Sequence, residues 1–189
     1  MTEQLNQDNK KSGRLGLVPI LLIVALVSLF LGWGASKILS PSTDLQTTAI
    51  KNELWAEFLN TEWKDPEGKP VNAKNWQGKT VLVNFWGSWC PPCVEEMPML
   101  SKLSEEYSTK NVIFVGIGID SPSNIRDFLK KTPVPYQIVI GGIDGSNWSK
   151  RLGNSTGGLP FTVILSPEGE SKITKLGKIS EEEIKSILK

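Results

Sequence analysis

The stretch Val81-Leu-Val-Asn-Phe-Trp-Gly-Ser-Trp-Cys90-Pro-Pro-Cys93-Val-Glu-Glu-Met-Pro98 constrains the chain more than any other, because it sets both cysteines between two kinds of secondary structure. Val81 to Phe85 is almost wholly apolar, as in a central strand covered on both faces, and Gly87-Ser88 breaks it. Beyond the break, Met99, Leu100, Leu103 and Tyr107 recur at helical spacing. Cys90 is therefore expected at the N-cap of a helix, with Pro91 at its first position.

The free N–H groups of a first helical turn favour negative charge and lower a thiol pKa from about 8.5 toward or below 7. Two intervening residues bring Cys93 round beneath Cys90, close enough for a disulfide. Pro91 and Pro92 lack N–H donors, which leaves the Cys93 N–H and the helix dipole to hold a Cys90 thiolate. Tetrahedral zinc needs four Cys or His ligands, and the chain has 2 Cys and no His. A c-type haem attachment needs His where Val94 stands. A structural disulfide closing so short a loop would constrain the unfolded chain little.

With 189 residues, 39% hydrophobic, the chain can bury one full core. A net charge of +1 without a basic run excludes an electrostatic case for nucleic acid. No charge interrupts the sequence between Arg14 and Lys37, and Leu15 to Leu31 is long enough to span a membrane. Lys10, Lys11 and Arg14 before the span keep the N-terminus cytoplasmic. The expected organisation is a cytoplasmic tail 1–14, a transmembrane anchor 15–36, a tether with a short amphipathic helix 37–60, and a domain 61–189 facing outward. A cleaved signal peptide is the competing reading, against which the long apolar stretch and Trp33 both count.

Ile50, Leu54, Trp55, Phe58 and Leu59 predict a short amphipathic helix lying on the domain or on the membrane surface, with docking on the domain the preferred reading. Trp63 opens a hairpin turning at Asp65-Pro66-Glu67-Gly68, and Val112 to Ile119 completes a parallel strand-helix-strand unit with the cysteine-bearing helix. Ile125, Phe128 and Leu129 predict a helix, Tyr136 to Ile140 a strand, and Trp148 with Leu152 a helical turn. Phe161–Leu165 and Ile173–Leu176 flank the turn Ser166-Pro-Glu-Gly169, and Ser180 with Glu183 forms a capping box before Ile184, Ile187 and Leu188. The class is α/β.

Trp89-Cys90-Pro91-Pro92-Cys93 after a buried strand, with Gly158-Leu159-Pro160 before a later one, resembles the thioredoxin fold: a central mixed sheet flanked by helices. Val83-Asn84-Phe85-Trp86, Glu96, Pro98 and Leu159-Pro160-Phe161-Thr162 make the chain most similar to the membrane-tethered TlpA/ResA-type thiol-disulfide oxidoreductases, which include cytochrome c biogenesis thioredoxins. The resemblance covers Trp63 to Lys189. It implies Cys90 as nucleophile, Cys93 as resolver, and Pro160 as a cis-proline presenting the Leu159 backbone to an extended client peptide. Trp89, Pro91 and Pro92 complete the implied client-binding surface, with Trp86 either beside them or in the core. Thioredoxin's buried Asp corresponds here to Asn84, which cannot titrate. Glu96, matching the glutamate of the ResA-like branch, is expected to be partly buried with a raised pKa and to relay the Cys93 proton. The bland alternative is an exposed first-turn Glu like Glu95. Pro98 is expected to kink the helix.

The resemblance thus implies a tethered reductase outside the cytoplasmic membrane, recharged by a membrane thiol donor and acting on client proteins with cysteines, apocytochrome c among them. No cofactor or metal beyond the Cys90–Cys93 pair is expected. The potential is expected nearer thioredoxin, about −270 mV, than DsbA, about −120 mV. An oxidant or isomerase is the near alternative. A Cu(I) module using Cys90, Cys93, Met97 and Met99 is disfavoured, because the two methionines cannot both face Cys93.

Overall fold

The computed structural model describes residues 53–188. The expected tail, the anchor, most of the tether and Ile50 lie outside them. Among the described residues, no helix is long and apolar enough to cross a membrane.

Residues 53–60 form helix α1. The hairpin β1 (Trp63–Lys64) and β2 (Pro70–Val71) follows, then a 3-10 turn, Ala73–Trp76. Next come β3 (Thr80–Trp86), α2 (Pro91–Glu106), β4 (Val112–Gly118), α3 (Pro122–Lys131), β5 (Gln137–Ile140) and α4 (Gly142–Arg151). The hairpin β6 (Phe161–Leu165) and β7 (Ser171–Leu176) leads into α5 (Glu181–Ile187). The Ser180–Glu183 capping box is formed in both directions. Each element anticipated from periodicity within the described residues is present; the helical turn expected at Trp148 and Leu152 is a longer helix that already begins at Gly142.

The strands join one mixed sheet in the order β2-β1-β5-β4-β3-β6-β7. β3, β4 and β5 run parallel, while β6 lies antiparallel against β3 and β1 antiparallel against β5. The sheet ends on one side in β2, opening at Pro70, and on the other in β7, whose Lys172 and Thr174 are exposed.

Strand alternation sorts the side chains into two cores. Val81, Val83 and Phe85 join Val115, Ile117, Phe161 and Val163 on one face, covered by Trp55, Phe58 and Leu59 of α1 and by Trp148 of α4. Phe58 is fully buried and its ring meets Trp55, Trp63, Trp76 and Trp148 within 6.0 Å, so α1 is built into the domain. Leu82, Trp86, Phe114 and Ile164 face the other way, toward Met97, Leu100 and Leu103 of α2, Ile125 of α3 and Ile184 of α5. Burying one such side chain is worth about 1.5–3 kcal/mol, so the two layers fix the height at which β3 delivers the chain to α2.

Candidate active site

β3 ends at Trp86, and the chain turns through Gly87-Ser88-Trp89 to Cys90, the N-cap of α2, with Pro91 at its first position. Proline suits that place because its fixed φ is already helical and its missing N–H would have no partner there. Cys90 and Cys93 are joined in a disulfide with Cα atoms 5.3 Å apart. The pair is asymmetric: Cys90 keeps 4% of its surface exposed and Cys93 none. The Cys93 N–H, expected to serve the Cys90 sulfur, instead donates to the Cys90 carbonyl at 3.1 Å, because the first turn closes tightly on its cap. The helix runs on through Pro98, which sits on its exposed side.

The loop before Cys90 is held from β4. Ser88 Oγ donates to Asp120 Oδ2 at 2.5 Å, and Trp89 Nε1 donates to the Ile119 carbonyl at 3.3 Å. Asp120 also accepts from Asn124 Nδ2 and the Ser121 N–H, each at 2.7 Å. Burial works against its charge, yet these donors outweigh it and hold the carboxyl below its usual range. Trp89 is thereby presented to solvent at 63% exposure, laid across Gly87, where a Cβ would stand 2.8 Å from its ring. Trp86 resolves the other way: it is fully buried, its ring 5.2 Å from Phe128, because its position in β3 points to the α2 and α3 layer.

Glu96 and Glu95 part as the helix turns. Glu95 is exposed and pairs with Lys178 at 2.9 Å. Glu96, one turn beyond Cys93, is 2% exposed. Its Oε1 accepts from Asn84 Nδ2 at 2.7 Å and its Oε2 from the Ile179 N–H at 3.2 Å. Burial pushes its pKa up, against the opposing pull of these donors and of Lys178. Asn84 also donates to Thr162 Oγ1 at 3.0 Å, tying β3, β6 and α2 into one buried polar network. Thr162 was missed as a member of this site; its place beside Pro160 was legible, but not its pairing with Asn84.

The Leu159–Pro160 bond is cis. Pro160 is buried and accepts from the Gly177 N–H at 2.8 Å, while Leu159 is half-buried and packs against both cores. Pro91 is exposed and Pro92 half-buried.

A mixed sheet that sets a vicinal cysteine pair at a strand-to-helix junction, with a cis-proline before the neighbouring antiparallel strand, defines a thioredoxin-fold thiol-disulfide oxidoreductase. The Redoxin family profile matches residues 56–188, and the chain belongs to that family. Within it the chain is ResA/TlpA-like. It is 29% identical to the thiol-disulfide oxidoreductase ResA of Bacillus cereus over 140 residues, 73% of this chain and 78% of the relative. The ResA of Geobacillus kaustophilus is 27% identical over 93% of this chain and 94% of its own. Among solved structures, a thioredoxin-related protein from Neisseria meningitidis serogroup B superposes with a TM-score of 0.60 at 35% identity, covering 67% of this chain and 96% of that one. Such an enzyme acts on cysteine-bearing client proteins.

Proposed function

We propose that this oxidoreductase works as a reductase of client-protein disulfides, held at the outer side of the cytoplasmic membrane by the apolar segment 15–36, with Cys90 as the attacking group. The observation that carries the reading is the asymmetry of the pair: Cys90, at the cap of the helix, keeps 4% of its surface exposed, whereas Cys93 keeps none. In the reduced enzyme the Cys90 thiolate attacks a client disulfide, a new S–S bond forms, and one client thiolate leaves. Cys93 then gives its proton to the Glu96 carboxylate and attacks Cys90 Sγ, releasing the second client thiolate. Two electrons pass to the client, and the Cys90–Cys93 disulfide remains. A membrane-bound dithiol donor restores the reduced pair by attack at the Cys90 sulfur.

In this reading Trp89, Pro91, Pro92, Leu159 and Pro160 would hold an extended client segment, the Leu159 backbone supplying strand-like hydrogen bonds. The Geobacillus kaustophilus alignment, which runs over 93% of this chain and so takes in the apolar segment, supports a shared organisation. An apocytochrome c presenting its haem-binding cysteines is the client class we infer from that branch.

The test is to express the full-length Cys93→Ala variant in cells and isolate mixed disulfides at Cys90, alongside a measured potential for the wild type. Capture of dithiol proteins exposed outside the cytoplasm, with a potential near about −270 mV, is expected. A potential near about −120 mV would reverse the direction, and an empty trap would remove the client.

A further inference from the structure

The large apolar side chains that stand exposed among the described residues, Trp89, Ile143 and Leu176, all lie at one end of the sheet, the end that carries the disulfide. The Ile119 N–H donates to the Trp86 carbonyl and the Gly141 N–H to the Gly118 carbonyl, so β3, β4 and β5 finish level with one another. Phe161, the first residue of β6, pairs with Phe85 on one side and with Leu176, the last residue of β7, on the other. Single exposed apolar residues are ordinary on a protein surface, whereas a concentration of them marks a contact face.

Ile143 is the most exposed of the three, at 82%, and its exposure is built into the fold. α4 follows β5 through Gly141 and carries Gly145 four residues later, and both glycines are buried. A Cβ at Gly141 would stand 2.5 Å from Ile117 Cγ2, and one at Gly145 3.0 Å from the same atom. The first turn of α4 thus rests against β4 through its glycines, while its large apolar residue faces solvent. That inverts the usual amphipathic arrangement, in which the apolar side chain packs inward. Ile119 links this turn to the disulfide loop. It is half-buried against the first core, its carbonyl receives the Trp89 indole N–H at 3.3 Å, and a Cβ at Gly145 would lie 3.7 Å from its Cγ1. The ends of β3, β4 and β5 therefore each offer one apolar residue, Trp89, Ile119 and Ile143, in a line leading away from Cys90.

We propose that Ile143 is a specificity-determining contact for clients, receiving an apolar side chain about three residues from the client cysteine that reacts at Cys90; adjacent strands stand about 4.8 Å apart, so the end of β5 lies about 10 Å from that of β3, a span that an extended chain covers in about three residues. The proposal rests on the attacking role given to Cys90 above. A client sulfur must come to Cys90 just beyond the end of β3, and the client residues on either side of it then run along the same end of the sheet. The occupant is an extended client stretch with a large apolar residue at that offset, and a polar residue there forfeits the contact.

The experiment measures the second-order rate constant with which the reduced full-length protein, in detergent micelles, acts on symmetrical peptide disulfides. Each peptide has one cysteine, with Leu or Ser three residues before or after it. Wild type is expected to favour Leu over Ser about tenfold on one side of the cysteine, a factor equivalent to about 1.4 kcal/mol. Ile143→Ser should abolish that ratio, and Leu176→Ser, on the opposite side of the disulfide, should retain it. Equal rates for the Leu and Ser peptides in wild type, or an unchanged ratio in Ile143→Ser, would overturn the proposal. So would an equal fall for both peptides in Ile143→Ser, which is what a structural defect produces. A dimer that Ile143→Ser dissociates would assign the face to a second copy of the chain, and a preference that vanishes when phosphatidylglycerol bilayers replace the micelles would assign it to lipid; either result overturns it. Should the protein prove to be an oxidant, the same ratio must appear when the oxidised form acts on the reduced peptides, so the direction and the contact fail separately. Inertness toward every peptide would remove the role of Cys90 and the contact together.

Discussion

Asn84 donates its side-chain amide to Glu96 Oε1 at 2.7 Å, joining β3 to the active-site helix through the one carboxylate that helix buries. The contact favours the charged form of Glu96 and burial disfavours it, with burial the stronger. The balance leaves Glu96, one helical turn beyond Cys93, with a pKa above the ordinary carboxylate range.

That balance has a signature in stability. Glu96 has a folded pKa above its ordinary 4.5, so between the two values the native state binds more protons than the unfolded one. Its contribution is fully present below 4.5 and is lost as pH rises through the folded value. Urea titrations of wild type and Glu96→Gln across that window should show wild type losing up to about 1.4 kcal/mol per pH unit relative to the variant. Parallel curves would mean that Glu96 titrates as an ordinary surface carboxylate.

Asp120 predicts the opposite slope. Its folded pKa lies below the ordinary 3.8, so its stabilisation is present above that value and fades as pH falls through the folded one. Asp120→Asn should cost about 1 kcal/mol at neutral pH, the net worth of a typical hydrogen bond, and should converge on wild type in acid. Release of the Ser88 loop should also shift the fluorescence of exposed Trp89; an unchanged spectrum would show that Asp120 does not position it.

Phe58→Ala should destabilise the domain by about 3–5 kcal/mol, the range for emptying a large aromatic site in a packed core. The measurement is the urea midpoint at constant m-value. A loss below about 1 kcal/mol, typical of surface changes, would mean that α1 merely rests against the domain.

Much of the scaffold was legible because its signals are local. The apolar run of β3, the Cys90 cap with Pro91, and the Ser180–Glu183 box each fall within a few residues and mean the same thing in most surroundings. The cis bond at Pro160 came from family likeness, since nothing local demands it. What stayed hidden depends on which strands become neighbours. Ser88 meets Asp120 because β3 and β4 end side by side, and Thr162 meets Asn84 because β6 returns antiparallel along β3. Trp86 could be placed in core or at the surface by composition; the side of the sheet on which Phe128 packs decided it. Glu95 and Glu96 are the same residue type side by side, and one step of helical rotation separates an ion pair with Lys178 from burial.

An open sheet offers unpaired backbone groups along its outer strands, which invites pairing with extended segments of other chains. β2 is two residues long and begins with Pro70, which has no N–H to offer, while β7 carries Lys172 at its outer margin. Brevity, proline and lysine blunt an edge against strand addition. An extended segment of another chain therefore finds no ready partner strand along either margin of this sheet, and self-association through its rims is discouraged in the same way.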